Sequence, residues 1–281
     1  MIEHNNRKIA DAHAEFITSK QLRKLVADKV SEYLGDSPVS VFDGAVGSGQ
    51  MEEYINIKHL TGVDIQPEAI RALESNFGGK CAGIVGDFLD LDVDGEFDCV
   101  VMNPPFSLKC RGPVGRMPYA KKNGVLDECF YVLSSMKARF SFFVCFPGIG
   151  YRRSEQKMRE YFGNSVIELI AVEDGFDDTA IDVLFVIIDR EKTDTSVLVS
   201  RYSCKKGSYV IEPRVETLDI DNWNQAKVIA PKEKVNIVRL TSEVQSLSAK
   251  NRAVLDQFDA LVLSLMTDRQ LRRLKAIKGE K

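Results

Sequence analysis

The stretch VSVFDGAVGSG, residues 39–49, decides the fold. Its first half, Val39–Asp43, has the apolar character of a short buried strand, and its second half, Gly44–Gly49, is a glycine-rich turn. Glycines after a first strand let the backbone approach a ligand closely. The spacing differs from the GxGxxG of dinucleotide sites, and no Gly-Lys-Ser/Thr follows as in a phosphate-binding loop. The stretch therefore predicts a ligand site at the carboxyl end of the first strand of an α/β sheet.

Three further strand patterns also end in polar side chains. Leu60–Asp64 places a carboxylate about twenty residues after the glycines, where an acid binds ribose hydroxyls. Ala82–Gly86 precedes Asp87 and Phe88, an acceptor and an aromatic ring suited to a cofactor adenine, and Phe97–Met102 precedes Asn103. A solvated turn explains each acid taken singly. Four successive polar strand ends instead predict a cofactor lying across the strand tips.

The segment Asn103-Pro104-Pro105-Phe106 is the candidate catalytic loop. Neither proline can donate to a sheet ladder, so the chain leaves the sheet here as a stiff loop. The Asn103 side-chain oxygen and the Pro104 carbonyl suit the two hydrogens of an exocyclic amine such as adenine N6, and Phe106 offers a face for an extruded base. An ordinary turn is the alternative, since N-P and P-P are common in turns. The cofactor pattern upstream favours the catalytic interpretation.

The composition of the chain limits which classes of function are compatible with it. The chain has 281 residues, 44% of them hydrophobic, and a net charge of −3, so nucleic-acid binding requires a local basic patch. Residues 107–122 form such a patch, and its cations are Lys109, Arg111, Arg116, Lys121 and Lys122. The six cysteines lack CxxC pairs and the three histidines lack metal-ligand spacing, which indicates reduced thiols, no metal and a cytoplasmic protein. No apolar run approaches the length of a membrane span.

The order of the elements predicts the architecture. Strand and helix patterns alternate through residue 190, which predicts a mostly parallel sheet covered on both faces. The first helix begins after Thr18 or Ser19 as N-cap. We expect a catalytic domain over residues 1–190, a small β or irregular connector over 191–234, and a C-terminal helix over 235–281. In the connector, Val197–Tyr202 and Tyr209–Ile211 pattern as a hairpin, with Trp223 as a buried residue.

With these motifs in view, the chain resembles S-adenosylmethionine-dependent DNA adenine-N6 methyltransferases, and most closely the modification subunits of type I restriction–modification systems. Residues 43–49 are similar to that family's Asp-Pro-Ala-Cys-Gly-Ser-Gly, with Gly44 for proline and Val46 for cysteine, and residues 103–106 fit its catalytic motif in full. Residues 15–18 resemble the segment that contacts the methionine end of the cofactor. Residues 146–155 and 179–183 resemble two later motifs. The likeness spans roughly residues 12–190.

The resemblance implies a Rossmann-like class I methyltransferase sheet, S-adenosylmethionine as cofactor and flipped adenine in DNA as acceptor. The catalytic residues it implies are Asn103, Pro104, Pro105 and Phe106. The cofactor residues are Glu15, Phe16, Ile17, Thr18, Asp43, Gly44, Gly47, Ser48, Gly49, Asp64, Ile65, Asp87, Phe88 and Asn103. Similar loops also serve RNA bases and the glutamine amide of release factors, so these acceptors remain alternatives. A non-catalytic DNA-binding or assembly subunit of the same fold is a third.

The C-terminal region carries an unbroken heptad pattern from Ile237 to Leu265. One seam position is apolar except for Asn251, and the other holds Leu240, Leu247, Val254 and Leu261. This pattern predicts a coiled coil whose seam asparagine sets register and partner number. An amphipathic helix packed on its own domain is the alternative, although its period would drift toward 3.6. The partner is a second copy of this chain or, by the resemblance, a specificity subunit.

Overall fold

The computed structural model describes residues 17–106, 127–177 and 181–226, and in addition residues 246, 248, 250–252 and 257. The helices are α1 Lys20–Leu34, α2 Pro67–Phe77, α3 Asp127–Ser135 and α4 Gln156–Phe162. The strands are β1 Val39–Asp43, β2 Ile57–Asp64, β3 Cys81–Val85, β4 Cys99–Met102, β5 Phe140–Cys145, β6 Val166–Glu173, β7 Val183–Asp189, β8 Ser196–Ser203 and β9 Ser208–Thr217.

The strands form one sheet in the order β3-β2-β1-β4-β5-β7-β6-β8-β9. Strands β1 to β5 run parallel, whereas β7 is antiparallel to both β5 and β6. The prediction of a mostly parallel sheet is confirmed. The chain turns from one side of the sheet to the other between β3 and β4, so β1 and β4 are neighbours at the topological switch point, where open α/β sheets bind ligands.

Two apolar clusters cover the two faces of the sheet. Because side chains alternate along a strand, Val41 and Val101 belong to one cluster, and Phe42, Val100 and Met102 to the other. The central strands are buried on both sides, which explains their nearly continuous apolar sequence. The layered arrangement predicted from the sequence is confirmed.

Helix α1 is fixed on the sheet at both of its ends. Ser19 is the N-cap, and its hydroxyl accepts a hydrogen bond from Leu22 N at 3.2 Å. Near the other end, Lys29 Nζ lies 2.8 Å from Glu168 Oε1 on β6, and the Tyr33 hydroxyl donates to Glu168 Oε2 at 2.9 Å. Lys29 and Tyr33 therefore hold the carboxyl half of α1 on β6, and Ser19 N, which donates to Gly175 O at 3.0 Å, holds its start.

Residues 191–226 continue the sheet instead of forming a separate connector. Strands β8 and β9 make the predicted antiparallel hairpin, and β8 pairs in parallel with β6. The predicted burial of Trp223 is also confirmed, since 1% of it is exposed. The first compact unit extends over Met1–Lys227, beyond the expected boundary at residue 190, and the second is Val228–Lys281. The residues described in the second unit, Ser246, Ser248, Lys250, Asn251, Arg252 and Gln257, are helical and exposed.

Candidate active site

The carboxyl ends of three neighbouring parallel strands meet at the switch point. Strands β2, β1 and β4 end at Asp64, Asp43 and Met102, and the residue after Met102 is Asn103. The structure therefore brings together the polar strand ends that the sequence placed in one site. Asp87 follows β3 at the same edge, where it is exposed.

The glycine turn after β1 lies directly against the end of β2. Val46 N donates to Val63 O at 3.0 Å, and Gly47 N donates to Asp64 Oδ2 at 3.0 Å. At Gly49 the backbone has φ of +79°, and a Cβ would collide with Phe77 and Leu73 of α2. Glycine is required there on both counts. The turn is thus packed tightly between β2 and α2 while it remains at the strand tips.

The Asp64 carboxylate is oriented by two backbone donors. Oδ2 accepts from Gly47 N, and Oδ1 accepts from Gln66 N at 2.9 Å. A carboxylate oxygen accepts more than one hydrogen bond, so this arrangement leaves capacity for hydroxyl donors from a ligand. The next residue, Ile65, is 50% exposed and supplies an apolar surface beside the carboxylate. Together they suit a sugar with an attached ring.

Asp43 lies beneath the turn rather than on its surface. It is 1% exposed, and Oδ1 accepts from Ala45 N at 2.7 Å. The fully buried Glu52 carboxyl lies beside it, and neither Glu52 oxygen has a hydrogen-bond donor within the described part of the chain. Burial raises the pKa of both carboxyls, and the neighbouring negative charge adds to the increase at Glu52. A proton shared between the two carboxyls would leave the pair with a single net charge.

The two polar atoms of the Asn103 side-chain amide differ in their hydrogen bonding. Its Nδ2 donates to Thr18 Oγ1 at 3.2 Å. Its Oδ1 is buried and has no hydrogen-bond partner among the described residues. A buried acceptor without a donor costs ~1–3 kcal/mol, which a ligand N–H would recover. Thr18 thus holds Asn103 so that the acceptor atom is available.

The connection between β6 and β7 completes this side of the site. Thr18 forms an isolated bridge with Phe176, Ser19 N donates to Gly175 O at 3.0 Å, and Asp177 N donates to Ile17 O at 2.9 Å. The sequence analysis did not identify Phe176. The available signal was a single aromatic residue in the acidic turn EDGFDD that follows β6.

Phe106 lies in an aromatic cluster with Phe146 and Phe176. The ring centroids lie 6.4 Å from Phe146 and 6.1 Å from Phe176, and Phe106 is 3% exposed. In this arrangement its face packs against protein, so stacking on an extruded base requires the ring to become accessible. The stacking role stays a prediction.

Phe88 and Gly44 pack against each other. The Phe88 ring is buried 5.3 Å from that of Phe42, and a Cβ on Gly44 would lie 2.7 Å from Phe88 Cδ1 and 2.9 Å from Met102 Cε. Gly44, the position where the resembled family has proline, therefore makes room for this ring. The structure places Phe88 in the core and Asp87 at the strand-tip surface.

Several predicted site residues lie outside the described residues: Glu15 and Phe16, and the basic set Lys109, Arg111, Arg116, Lys121 and Lys122. Ser48 is described and buried, and its carbonyl accepts from Asn76 Nδ2 at 3.0 Å. Within the described residues, no helix combines the length and the apolar character that crossing a membrane requires.

Comparison with known proteins places this site in a familiar fold. No family model matches the chain. Over 102 residues it is 28% identical to type II methyltransferase M.CvrRI of Paramecium bursaria Chlorella virus XZ-6E; the match makes up 34% of this chain and 25% of the viral protein.

Solved structures resemble a larger part of the chain. One is the methyltransferase subunit of a type I restriction–modification system from Streptococcus thermophilus, with a TM-score of 0.60 and 18% identity, covering 73% of this chain and 53% of the subunit. A protein of another type I restriction–modification system has a TM-score of 0.60 and 10% identity, covering 94% of this chain and 68% of its own. These likenesses show that the chain has the class I methyltransferase fold.

Proposed function

We propose that this chain is an S-adenosylmethionine-dependent methyltransferase that modifies adenine N6 in DNA as the modification-type subunit of a restriction–modification system. One observation carries the proposal: Asn103 Oδ1, at the switch point of a class I methyltransferase sheet, is buried and has no hydrogen-bond partner among the described residues. The similar proteins named for restriction–modification systems support DNA over RNA or protein as the acceptor.

The residues at the strand tips fit the cofactor. Asp64 is held by Gly47 N and Gln66 N and suits the ribose hydroxyls, and exposed Ile65 suits the adenine ring. The turn 44–49 keeps side chains away from the strand tips, and Thr18 and Asn103 lie on the far side of β1. When bound there, S-adenosylmethionine supplies an electrophilic methyl group.

The catalytic loop acts on the acceptor amine. Adenine N6 is a weak nucleophile because its lone pair is delocalised into the ring. Asn103 Oδ1 and the Pro104 carbonyl accept its two hydrogens, which localises the lone pair toward the methyl group. S-adenosylmethionine would supply the methyl group from its sulfonium sulfur, and the methylated nitrogen would release one proton to solvent. Thr18 fixes the amide, so the acceptor needs no reorganisation during the step.

The test is methyl transfer by Asn103→Ala compared with wild type. We expect S-adenosylmethionine affinity, measured by calorimetry, to be nearly unchanged, and turnover to fall about a hundredfold or more because the acceptor acts in the transition state. Mass spectrometry of nucleosides from treated DNA should detect N6-methyladenine at comparable levels with wild type and with the control variant, and far less with Asn103→Ala. The matched control is Asn56→Ala, which removes an exposed amide that donates to Asp36 O.

Three results would contradict the proposal. Retention of more than half the wild-type turnover by Asn103→Ala would remove this residue from catalysis. Methylation of RNA or of a glutamine-containing peptide in preference to DNA would replace the acceptor. Tight cofactor binding without transfer to any of these acceptors would identify a non-catalytic subunit.

A further inference from the structure

The turn Pro147–Arg153, which follows β5 at the same edge as the catalytic loop, is held from beneath. Buried Arg159 of α4 donates through Nη1 to Ile149 O at 2.8 Å and to Arg152 O at 3.0 Å, and through Nε to Ile220 O at 2.8 Å. Asn224 Nδ2 donates to Pro147 O at 2.7 Å, and Trp223 N donates to Gly150 O at 2.8 Å. A loop with this many carbonyls bound by buried donors presents its side chains in a fixed arrangement.

The turn adjoins the aromatic cluster of the catalytic loop. The Arg152 guanidinium lies over the Phe146 ring, 4.8 Å from its centroid, and Phe146 is the ring 6.4 Å from Phe106. Gly148 permits this packing, since a Cβ there would lie 2.5 Å from Arg152 Nε and 2.9 Å from the Phe146 ring. Arg152 is therefore positioned by stacking, with its N–H donors directed away from the ring face.

Arg152 and Arg153 differ from the other arginines described between residues 17 and 226. Each of the others has a carboxylate or carbonyl partner: Arg23, Arg71, Arg139, Arg159, Arg190, Arg201 and Arg214. Within those described residues, the guanidiniums of Arg152 and Arg153 have no carboxylate or carbonyl partner, and both residues are exposed. The preceding residue, Tyr151, is 55% exposed. Two unneutralised guanidiniums and a phenol are the side chains that contact nucleic-acid phosphates.

We propose that the turn Pro147–Arg153 binds the DNA backbone beside the target adenine, with Arg152 and Arg153 on phosphates and the Tyr151 hydroxyl on an adjoining phosphate or sugar. The proposed contacts come from residues other than those of the basic stretch 107–122. The inference rests on the proposed function, because it takes the acceptor to be DNA. The rigid support beneath the turn reduces the entropy lost on binding, which is the physical reason to hold an exposed cationic turn with a buried arginine.

The experiment measures binding of the full-length protein to a fluorescent duplex of mixed sequence over a series of salt concentrations. The test variant is Arg152→Ala/Arg153→Ala. The control is Lys58→Ala/Lys80→Ala, which removes the same charge from exposed side chains at the amino ends of β2 and β3, the opposite edge of the sheet. Because each phosphate contact contributes about 0.9 to the slope of log K against log salt, the test variant should lower the slope by about 2. The control should leave it unchanged, and both should keep the cofactor affinity and melting temperature of wild type.

The outcomes separate this inference from the proposed function. If wild type binds the duplex and both double variants show the wild-type slope, or equal reductions, the turn is not a contact surface and the inference fails alone. If wild type binds no DNA while it methylates RNA or a peptide, the proposed function fails and the inference fails with it. If the slope is reduced for the test variant and unchanged for the control, the result supports the inference.

Discussion

At the scale of single residues, the buried pair Asp43 and Glu52 makes the free energy of unfolding depend on pH. Burial raises the pKa of Asp43 from 3.8 to about 7 and raises that of Glu52 well above its ordinary value. Between the ordinary and the raised values, the folded chain therefore binds more protons than the unfolded chain does. Unfolding free energy must then decrease as pH rises through that window, from about pH 4 to 7.

Glu52→Gln should flatten this dependence. The glutamine amide donates to Asp43 without a titrating proton, so the slope should shrink by up to about 1.4 kcal/mol per pH unit, the value for one proton. Denaturant unfolding at pH 5, 6 and 7 measures this slope of unfolding free energy against pH. Glu74→Gln, an exposed acid on α2, is the matched control and should keep the wild-type slope. A Glu52→Gln protein with an unchanged slope would show that the pair does not share a proton.

The sequence predicted some of these residues and not others, for physical reasons. Asp64 and Asn103 follow apolar strands, so their place at the sheet edge could be predicted from local pattern. Glu52 lies in a segment with no strand or helix period, and its burial depends on how residues 51–55 pack beneath α1. The exposure of the Phe106 ring likewise depends on Phe146 and Phe176, which are distant in sequence.

At the scale of elements, the strands of the catalytic core were predicted to within a few residues. β1 was predicted with its observed bounds, and β2 begins three residues earlier than expected, at Ile57. Central strands can be recognised in the sequence as apolar runs, because both faces of a central strand are buried. The extension of the sheet through β8 and β9 was not predicted. β9 is an edge strand with polar and exposed residues, so its sequence carries little periodicity.

Arg159 connects two such elements, and its loss should destabilise both. Arg159→Leu removes this donor from the carbonyls of Ile149, Ile220 and Arg152, and the last of these keeps Glu155 N as a donor at 3.2 Å. Each buried acceptor left unsatisfied costs ~1–3 kcal/mol. We expect unfolding free energy to drop by ~3 kcal/mol or more, measured by denaturant unfolding. Lys157→Leu, an exposed position on the same helix, should change it by less than about 0.5 kcal/mol. Equal stability of the two variants would mean that Arg159 does not support the turn.

At the scale of the whole molecule, the chain divides into the unit Met1–Lys227, which carries the proposed catalytic site, and the unit Val228–Lys281. Most of the predicted seam lies outside the described residues. Asn251, a seam position, is helical and exposed. A continuous apolar seam on a lone helix is rarely tolerated in water, so the heptads predict an intermolecular partner. The choice between a second copy and a specificity subunit is not encoded in the heptads themselves, since both present a similar apolar stripe.

Substitution within the seam tests this prediction on the full-length chain. Leu247→Glu introduces a charge at an inner heptad position, whereas Ser246→Glu places the same charge on an exposed helical position next to it. If the seam pairs two copies, light scattering should give a dimer for wild type and Ser246→Glu and a monomer for Leu247→Glu, because an unpaired charge buried in the seam is strongly unfavourable. Cofactor affinity should be equal in all three, since the strand tips belong to the other unit.

A monomeric wild type would exclude self-association and leave the specificity subunit as the expected partner. In that case Leu247→Glu should lose site-specific methylation when the partner is present, while Ser246→Glu retains it. Non-specific duplex binding should persist in both, because the proposed DNA contacts at Arg152 and Arg153 lie in the unit Met1–Lys227. If Leu247→Glu neither dissociates a dimer nor loses site-specific methylation, the heptads do not form an intermolecular coiled coil. The tail would then be an amphipathic helix covered within its own chain, and recognition of DNA sites would reside in the unit Met1–Lys227.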